Sequence, residues 1–162
     1  MKERLEKLLP EVFQFINIHT FHSLCYSILK ENALLAGLNP DFKVISNEEK
    51  ELYKENFKAD EMLDFDALID FTVKLFNENL DIREFYQDKF KYLSVDEYQD
   101  IDEKQYKLIK YLSPEDNSIC AIGDPNQAIY AFRGGDSRFF NTFKDDYPNA
   151  KVINLQNNYR ST

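Results

Sequence analysis

The chain has 162 residues and carries 29 Asp and Glu against 20 Lys and Arg, a formal charge of −9 with both histidines neutral. That length suits one domain with a proper core, and a 43% hydrophobic content with 14 Phe and 10 Tyr excludes a disordered tail despite the charge. Four Gly and five Pro argue against a turn-rich all-β fold, no run approaches the roughly 20 apolar residues of a membrane span, and the acidic balance excludes a broadly basic nucleic-acid binder. In chain order, Lys2 to Leu9 reads as a short helix ended by Pro10, with no secretory leader expected before it. Val12 to Ile18 reads as a strand. Thr20 is placed to cap a helix whose apolar residues are Phe21, Leu24, Cys25, Ile28 and Leu29, and Gly37 is expected to stop it before a turn at Asn39-Pro40-Asp41. Ser46-Asn47-Glu48-Glu49 opens a second helix with a stripe of Leu52, Tyr53 and Phe57. After a break near Asp60 and Asp64, Phe65, Leu68, Ile69, Thr72, Val73 and Phe76 recur at helical spacing, and a short acidic helix runs from Ile82 to Lys89.

From there strand and helix alternate. Phe90 to Val95 is a strand, and Asp102 begins a helix with Gln105 at the capping-box position and Leu108, Ile109 and Leu112 facing inward. Ile119 to Ile122 is a buried strand, Arg138 to Phe143 a short helix, and Val152 to Leu155 a last strand. This alternation predicts an α/β fold with a parallel sheet. Cys25 and Cys120 lie far apart in apolar runs, which reads as two buried free thiols in a reducing cytoplasm. Two cysteines make no metal site by themselves.

Three segments pair an apolar strand with a polar cluster at its end, where parallel α/β sheets bind ligands. The first is Val95-Asp96-Glu97-Tyr98-Gln99-Asp100. Adjacent carboxylates at a strand tip can hold Mg²⁺ and activate a water for phosphoryl transfer; a solvated acidic turn before a helix is the plainer alternative. The second runs from Ile122 through Asp124, Gln127, Tyr130, Phe132 and Arg133 to Gly135. Its glutamine can reach a terminal phosphate, and its aromatics can stack on bases beside a cation, or the stretch is a glycine-rich connection with two core aromatics. The third, Leu155 to Thr162, places Tyr159 before Arg160, which can stabilise charge on a transferring phosphoryl group or form a polar terminus.

In this order, Asp-Glu-Tyr-Gln-Asp, Gly-Asp-Pro-Asn-Gln-Ala-Ile-Tyr-Ala-Phe-Arg-Gly-Gly and Asn-Tyr-Arg-Ser resemble superfamily 1 helicases of the UvrD/Rep type. Thr20-Phe21-His22-Ser23-Leu24 looks like the family's segment that touches single-stranded DNA, and Asp64 to Ile69 like its stretch before the Asp-Glu motif. The resemblance implies a RecA-like P-loop NTPase sheet and the following roles. Asp96 would help hold Mg²⁺, Glu97 would be the base for ATP hydrolysis, and Gln127 would sense the γ-phosphate. Tyr159 would stack on adenine and Arg160 would contact the γ-phosphate. Tyr130, Phe132 and Arg133 would lie on the DNA track with Thr20 and His22, although His22 on a helix's first turn has a purely local reading too. Ile101, Asp102, Ala128 and Gly135 depart from the family's usual residues without removing a group assigned to chemistry.

No Gly-x-x-x-x-Gly-Lys-Ser/Thr occurs, so the phosphate-cradling loop and its lysine are absent from these residues. The expectation is therefore a partial first motor domain over 1–150, lacking the central phosphate-loop strand, with a reduced helical insertion at about 38–63 and the start of a second motor domain at 151–162. Such a chain would belong to an ATP-dependent helicase that unwinds duplex DNA, for which the resemblance implies 3′ to 5′ translocation in repair or recombination. Its partners would be ATP, single-stranded or partly duplex DNA and the remainder of the helicase, with no membrane. Alone it is expected to be inactive, to bind DNA weakly and less so at raised salt, and to be marginally stable or self-associating. The alternatives are a degenerate motor domain serving as a DNA- or protein-binding module, and a metal-dependent nuclease, which would need further carboxylates and would leave Gln127 and Arg160 without a role.

Overall fold

The computed structural model describes residues 2–53, 58–114, 118–124 and 138–157. The order of elements is α1 (Lys2–Leu8), α2 (Phe21–Glu31), β1 (Lys43–Val44), α3 (Asn47–Leu52), β2 (Met62–Leu63), α4 (Phe65–Glu78), α5 (Leu80–Lys89), β3 (Tyr92–Val95), α6 (Glu103–Leu112), β4 (Ser118–Ala121), α7 (Arg138–Asn141) and α8 (Phe143–Asp146). Short 3₁₀ turns stand at Phe13–Phe15 and Tyr98–Asp100. The fold is α/β, but its strands form two separate two-stranded parallel sheets, β1 with β2 and β3 with β4.

Helix starts follow local chemistry. Thr20, Ser46 and Asp102 each accept the N–H three residues on, and Ser23, Glu49 and Gln105 reach back to the cap's own N–H. Asp64 caps α4 by accepting the Ala67 N–H at 2.7 Å. The α4 residues Leu68, Ile69, Leu75 and Phe76 are buried, and the buried Thr72 hydroxyl is satisfied by the Leu68 carbonyl at 2.8 Å. Helix α4 packs on α2, α5 and α6, so it is the axis of the larger core, where each buried Leu or Phe contributes about 1.5–3 kcal/mol. A smaller core joins Val95, Tyr98, Ile101 and Ile109 to Phe139, Phe140 and Phe143. Phe21 and Leu93 pack against both.

The structure corrects several sequence expectations. Residues 12–18 are not a strand: Phe15 donates to the Val12 carbonyl and Ile16 to the Phe13 carbonyl, and Phe15 is 74% exposed. No described strand lies alongside to pair with this segment, so its backbone groups are satisfied locally instead. Residues 152–155 likewise form no strand, and Val152, Ile153 and Leu155 are exposed. Helix α2 ends at Glu31, earlier than Gly37; turns follow, and Gly37 (φ +73°) closes them as Leu38 donates to the Ala33 carbonyl. Leu52 and Tyr53 are exposed rather than a buried stripe, and Phe57 lies outside the described residues. The helix expected over 138–143 is split at Thr142 into α7 and α8. Cys25 is buried, but Cys120 is exposed, because no described strand or helix covers its face of β4.

Candidate nucleotide site at the β3 and β4 tips

β3 and β4 run parallel in the register Tyr92↔Ser118 to Val95↔Ala121. Their pairing continues past the strands: Ile122 donates to the Val95 carbonyl at 2.8 Å and Tyr98 to the Ile122 carbonyl at 2.9 Å. The Asp96-Glu97 and Gly123-Asp124 pairs therefore emerge side by side, as the parallel reading expects.

Asp96 and Glu97 are both exposed, and Asp96 Oδ1 accepts the Glu97 N–H at 3.1 Å. Glu97 has φ +53° and ψ +41°, the left-handed region, and among the described residues no other non-glycine residue has positive φ. Such backbone costs about 1–3 kcal/mol and persists only where neighbours over-determine it. Those neighbours follow at once. Asp100 donates its N–H to the Glu97 carbonyl at 2.9 Å, closing the 3₁₀ turn, and Tyr98 is fully enclosed, its ring edge-on to Phe143 at 5.4 Å. Burial pushes the Tyr98 phenol's pKa well up, with Tyr147, Asp146 and Tyr106 adding to the effect.

Gln99, to which the sequence reading assigned no role, is the most connected side chain here. It is 2% exposed. Its amide donates to Glu97 Oε2 at 2.7 Å and to Asp100 Oδ2 at 3.3 Å, and its carbonyl accepts the Asp124 N–H at 3.1 Å. Gly123 makes room for it: a Cβ there would stand 2.3 Å from Gln99 Oε1. The motif spelling displayed Gln99, but its burial against a glycine 24 positions away carries no local signal.

Thr20 and His22 lie at the start of α2, and both have local occupations. The Thr20 hydroxyl accepts the Ser23 N–H at 3.2 Å, and His22 packs edge-on against Phe65 with ring centroids 5.5 Å apart. Phe21 between them joins the two cores. Gln127, Tyr130, Phe132, Arg133, Tyr159 and Arg160 lie outside the described residues.

Among the described residues no group of three or more His, Cys, Asp or Glu could hold a metal. The donor set at the tip is one exposed pair of carboxylates. That fits Mg²⁺, which is commonly bound by one or two carboxylates together with substrate phosphates and water. No helix among the described residues is long and apolar enough to cross a membrane.

The model of the UvrD/REP helicase N-terminal domain family matches residues 1–52 and 48–148, two segments that meet in and around α3. Proteins named ATP-dependent DNA helicase PcrA from Staphylococcus epidermidis and Staphylococcus aureus are 34% and 33% identical to the chain over an alignment 218 positions long. These alignments take in the whole of this chain and 30% of each relative, so the chain spans under a third of the length of the curated relatives it matches.

Proposed function

The chain belongs to the UvrD/REP helicase N-terminal domain family, and from that premise we propose that it is the part of an ATP-dependent DNA helicase that carries the hydrolytic carboxylate. The observation that carries this reading is the Asp96-Glu97 pair, held in a fixed turn at the tip of a parallel strand pair beside Gly123-Asp124. Asp96 would hold Mg²⁺, which would supply neutralisation of the phosphate charge when bound with a nucleotide. Glu97 orients the attacking water and takes its proton. Gln127 and Arg160 contact the γ-phosphate, Tyr159 stacks on the base, and Tyr130, Phe132 and Arg133 continue a single-stranded DNA path that begins at Thr20 and His22. Coupling these contacts to domain closure turns hydrolysis into stepping along DNA.

In this reading residues 1–150 are a RecA-like motor domain without its phosphate-loop strand, and 151–162 begin the second. The meeting of the two family matches at 48–52 supports a shortened insertion within 38–63. The place of action is the cytoplasm. Since residues 1–162 contain no Gly-x-x-x-x-Gly-Lys-Ser/Thr, the chain alone hydrolyses no ATP.

The test is a transplant. Residues 95–148 replace the matched segment of the Staphylococcus aureus helicase, and DNA-stimulated ATP hydrolysis is measured. The chimera is expected to turn over, with Glu97→Gln lowering kcat about 10²–10⁴-fold. Equal rates in the two chimeras would overturn the role of Glu97. Mg²⁺-dependent turnover by the 162-residue chain alone, lost in Glu97→Gln, would overturn its inactivity.

A further inference from the structure

Two stretches of the chain, 97–99 and 123–124, meet on one buried amide. Gln99 donates to the Glu97 carboxylate and accepts from the Asp124 backbone, and Gly123 supplies the space. We propose that Gln99 is a positioning residue that ties the Glu97 carboxylate to the β4 tip, so that a shift of the chain at Asp124 moves Glu97 with it. The inference rests on the reading of Glu97 as the hydrolytic base.

The geometry supports a tie over simple packing. A buried amide has two donor hydrogens and a carbonyl, and here the donor end is used on the Glu97 carboxylate and the carbonyl on the Asp124 N–H. Glu97 is exposed and on left-handed backbone, so a bond of 2.7 Å to a buried partner is what holds its carboxylate to one position. Asp124 stands close before Gln127 in the chain. Because the Gln99 amide is rigid and planar, its donor and acceptor ends move together. A hydrogen bond to a carboxylate is also among the stronger kind. The glycine is the independent observation: a methyl at 123 would occupy the space of Gln99 Oε1, so the backbone at the β4 tip is shaped around that amide.

The test uses the whole ¹⁵N-labelled chain without nucleotide. Amide resonances and hydrogen exchange at Asp124 are followed by NMR in wild type, Glu97→Gln, Gln99→Met and the double variant. Glu97→Gln is expected to shift the Asp124 amide resonance in the wild-type background and to leave it unmoved in the Gln99→Met background. Gln99→Met alone is expected to speed Asp124 exchange about tenfold or more while α4 amides keep their protection. Gln99→Glu retains an acceptor for the Asp124 N–H and removes the donor to Glu97. It should keep Asp124 protected and abolish the response to Glu97→Gln, a split that a packing role would not produce. If Gln99→Met fails to fold, Gln99→Glu carries the test by the same two readouts. An Asp124 response to Glu97→Gln that persists without the Gln99 amide overturns the proposal, as does unchanged Asp124 exchange in Gln99→Met. These readouts need no ATP, so an inactive chimera would refute the hydrolytic reading and leave the tie standing.

Discussion

The two thiols of this chain differ by burial alone. Cys25 is fully enclosed on α2, and that burial, partly offset by the Thr72 hydroxyl, pushes its pKa to about 11. At pH 8 its reactive thiolate is therefore only about a thousandth of the population. Cys120 sits exposed on β4. With excess thiol reagent in the folded state, one fast-reacting group per chain is expected, and Cys120→Ser should remove it; two fast thiols would contradict the burial of Cys25. Asp64 is a second group whose charge depends on its surroundings. Its burial alone would raise its pKa, but the Lys50 ammonium at 2.5 Å and the Ala67 N–H hold it below the ordinary 3.8. A carboxylate depressed on folding adds stability that is fully present above its unfolded pKa and is lost as pH falls through the folded value. Asp64→Asn keeps a competent helix cap while removing the charge. It should therefore be less stable than wild type near pH 7, with the gap closing below about pH 4 in urea titrations. A gap that stays constant with pH would sink this account.

Helices and strands were not equally readable. Each capping box named a helix start from residues within one turn, and α6 shows the whole pattern: Asp102 caps, Gln105 answers, and Leu108, Ile109 and Leu112 are buried. Removing the cap with Asp102→Ala should cost about 1 kcal/mol, read as a lower urea midpoint at unchanged slope. No loss would mean that tertiary packing alone sets the start of α6. The strands at 92–95 and 118–121 were legible because each has the other as partner. The segments at 12–18 and 152–155 have the same apolar composition without a described partner, and they are not strands. A short apolar run states β potential; the ladder that realises it comes from elsewhere in the chain.

For the whole molecule, those unpaired segments matter most. Val12, Phe15, Tyr92, Ile153 and Leu155 are exposed at 47%, 74%, 86%, 82% and 92%, and among the described residues no strand pairs with the outer edge of β3 or of β4. The isolated chain is expected to self-associate. Sedimentation velocity between about 1 and 100 µM should show a rising average sedimentation coefficient, and a constant monomer value across that range would refute it. The charge of −9 does not prevent this, since Glu48, Glu49, Asp60, Asp81 and Asp88 are exposed to solvent and lie outside these apolar segments.

By itself the sequence determined the capped helix starts at Thr20, Ser46 and Asp102, the α/β alternation around β3 and β4, the adjacency of Asp96 and Glu97 to a strand end, and the resemblance that led to the family. All of these depend on residues within a few positions of one another, or on the order of short motifs. Only the tertiary structure decided which apolar runs became strands, that Cys120 is exposed, that Glu97 stands on left-handed backbone, and that Gln99 closes a hydrogen-bonded bridge to Asp124. Strand ladders, burial and a shared amide are made by groups distant in sequence, so no local pattern of residues encodes them, and the Glu97 turn, though closed locally by Asp100, is anchored by the burial of Tyr98 against Phe143.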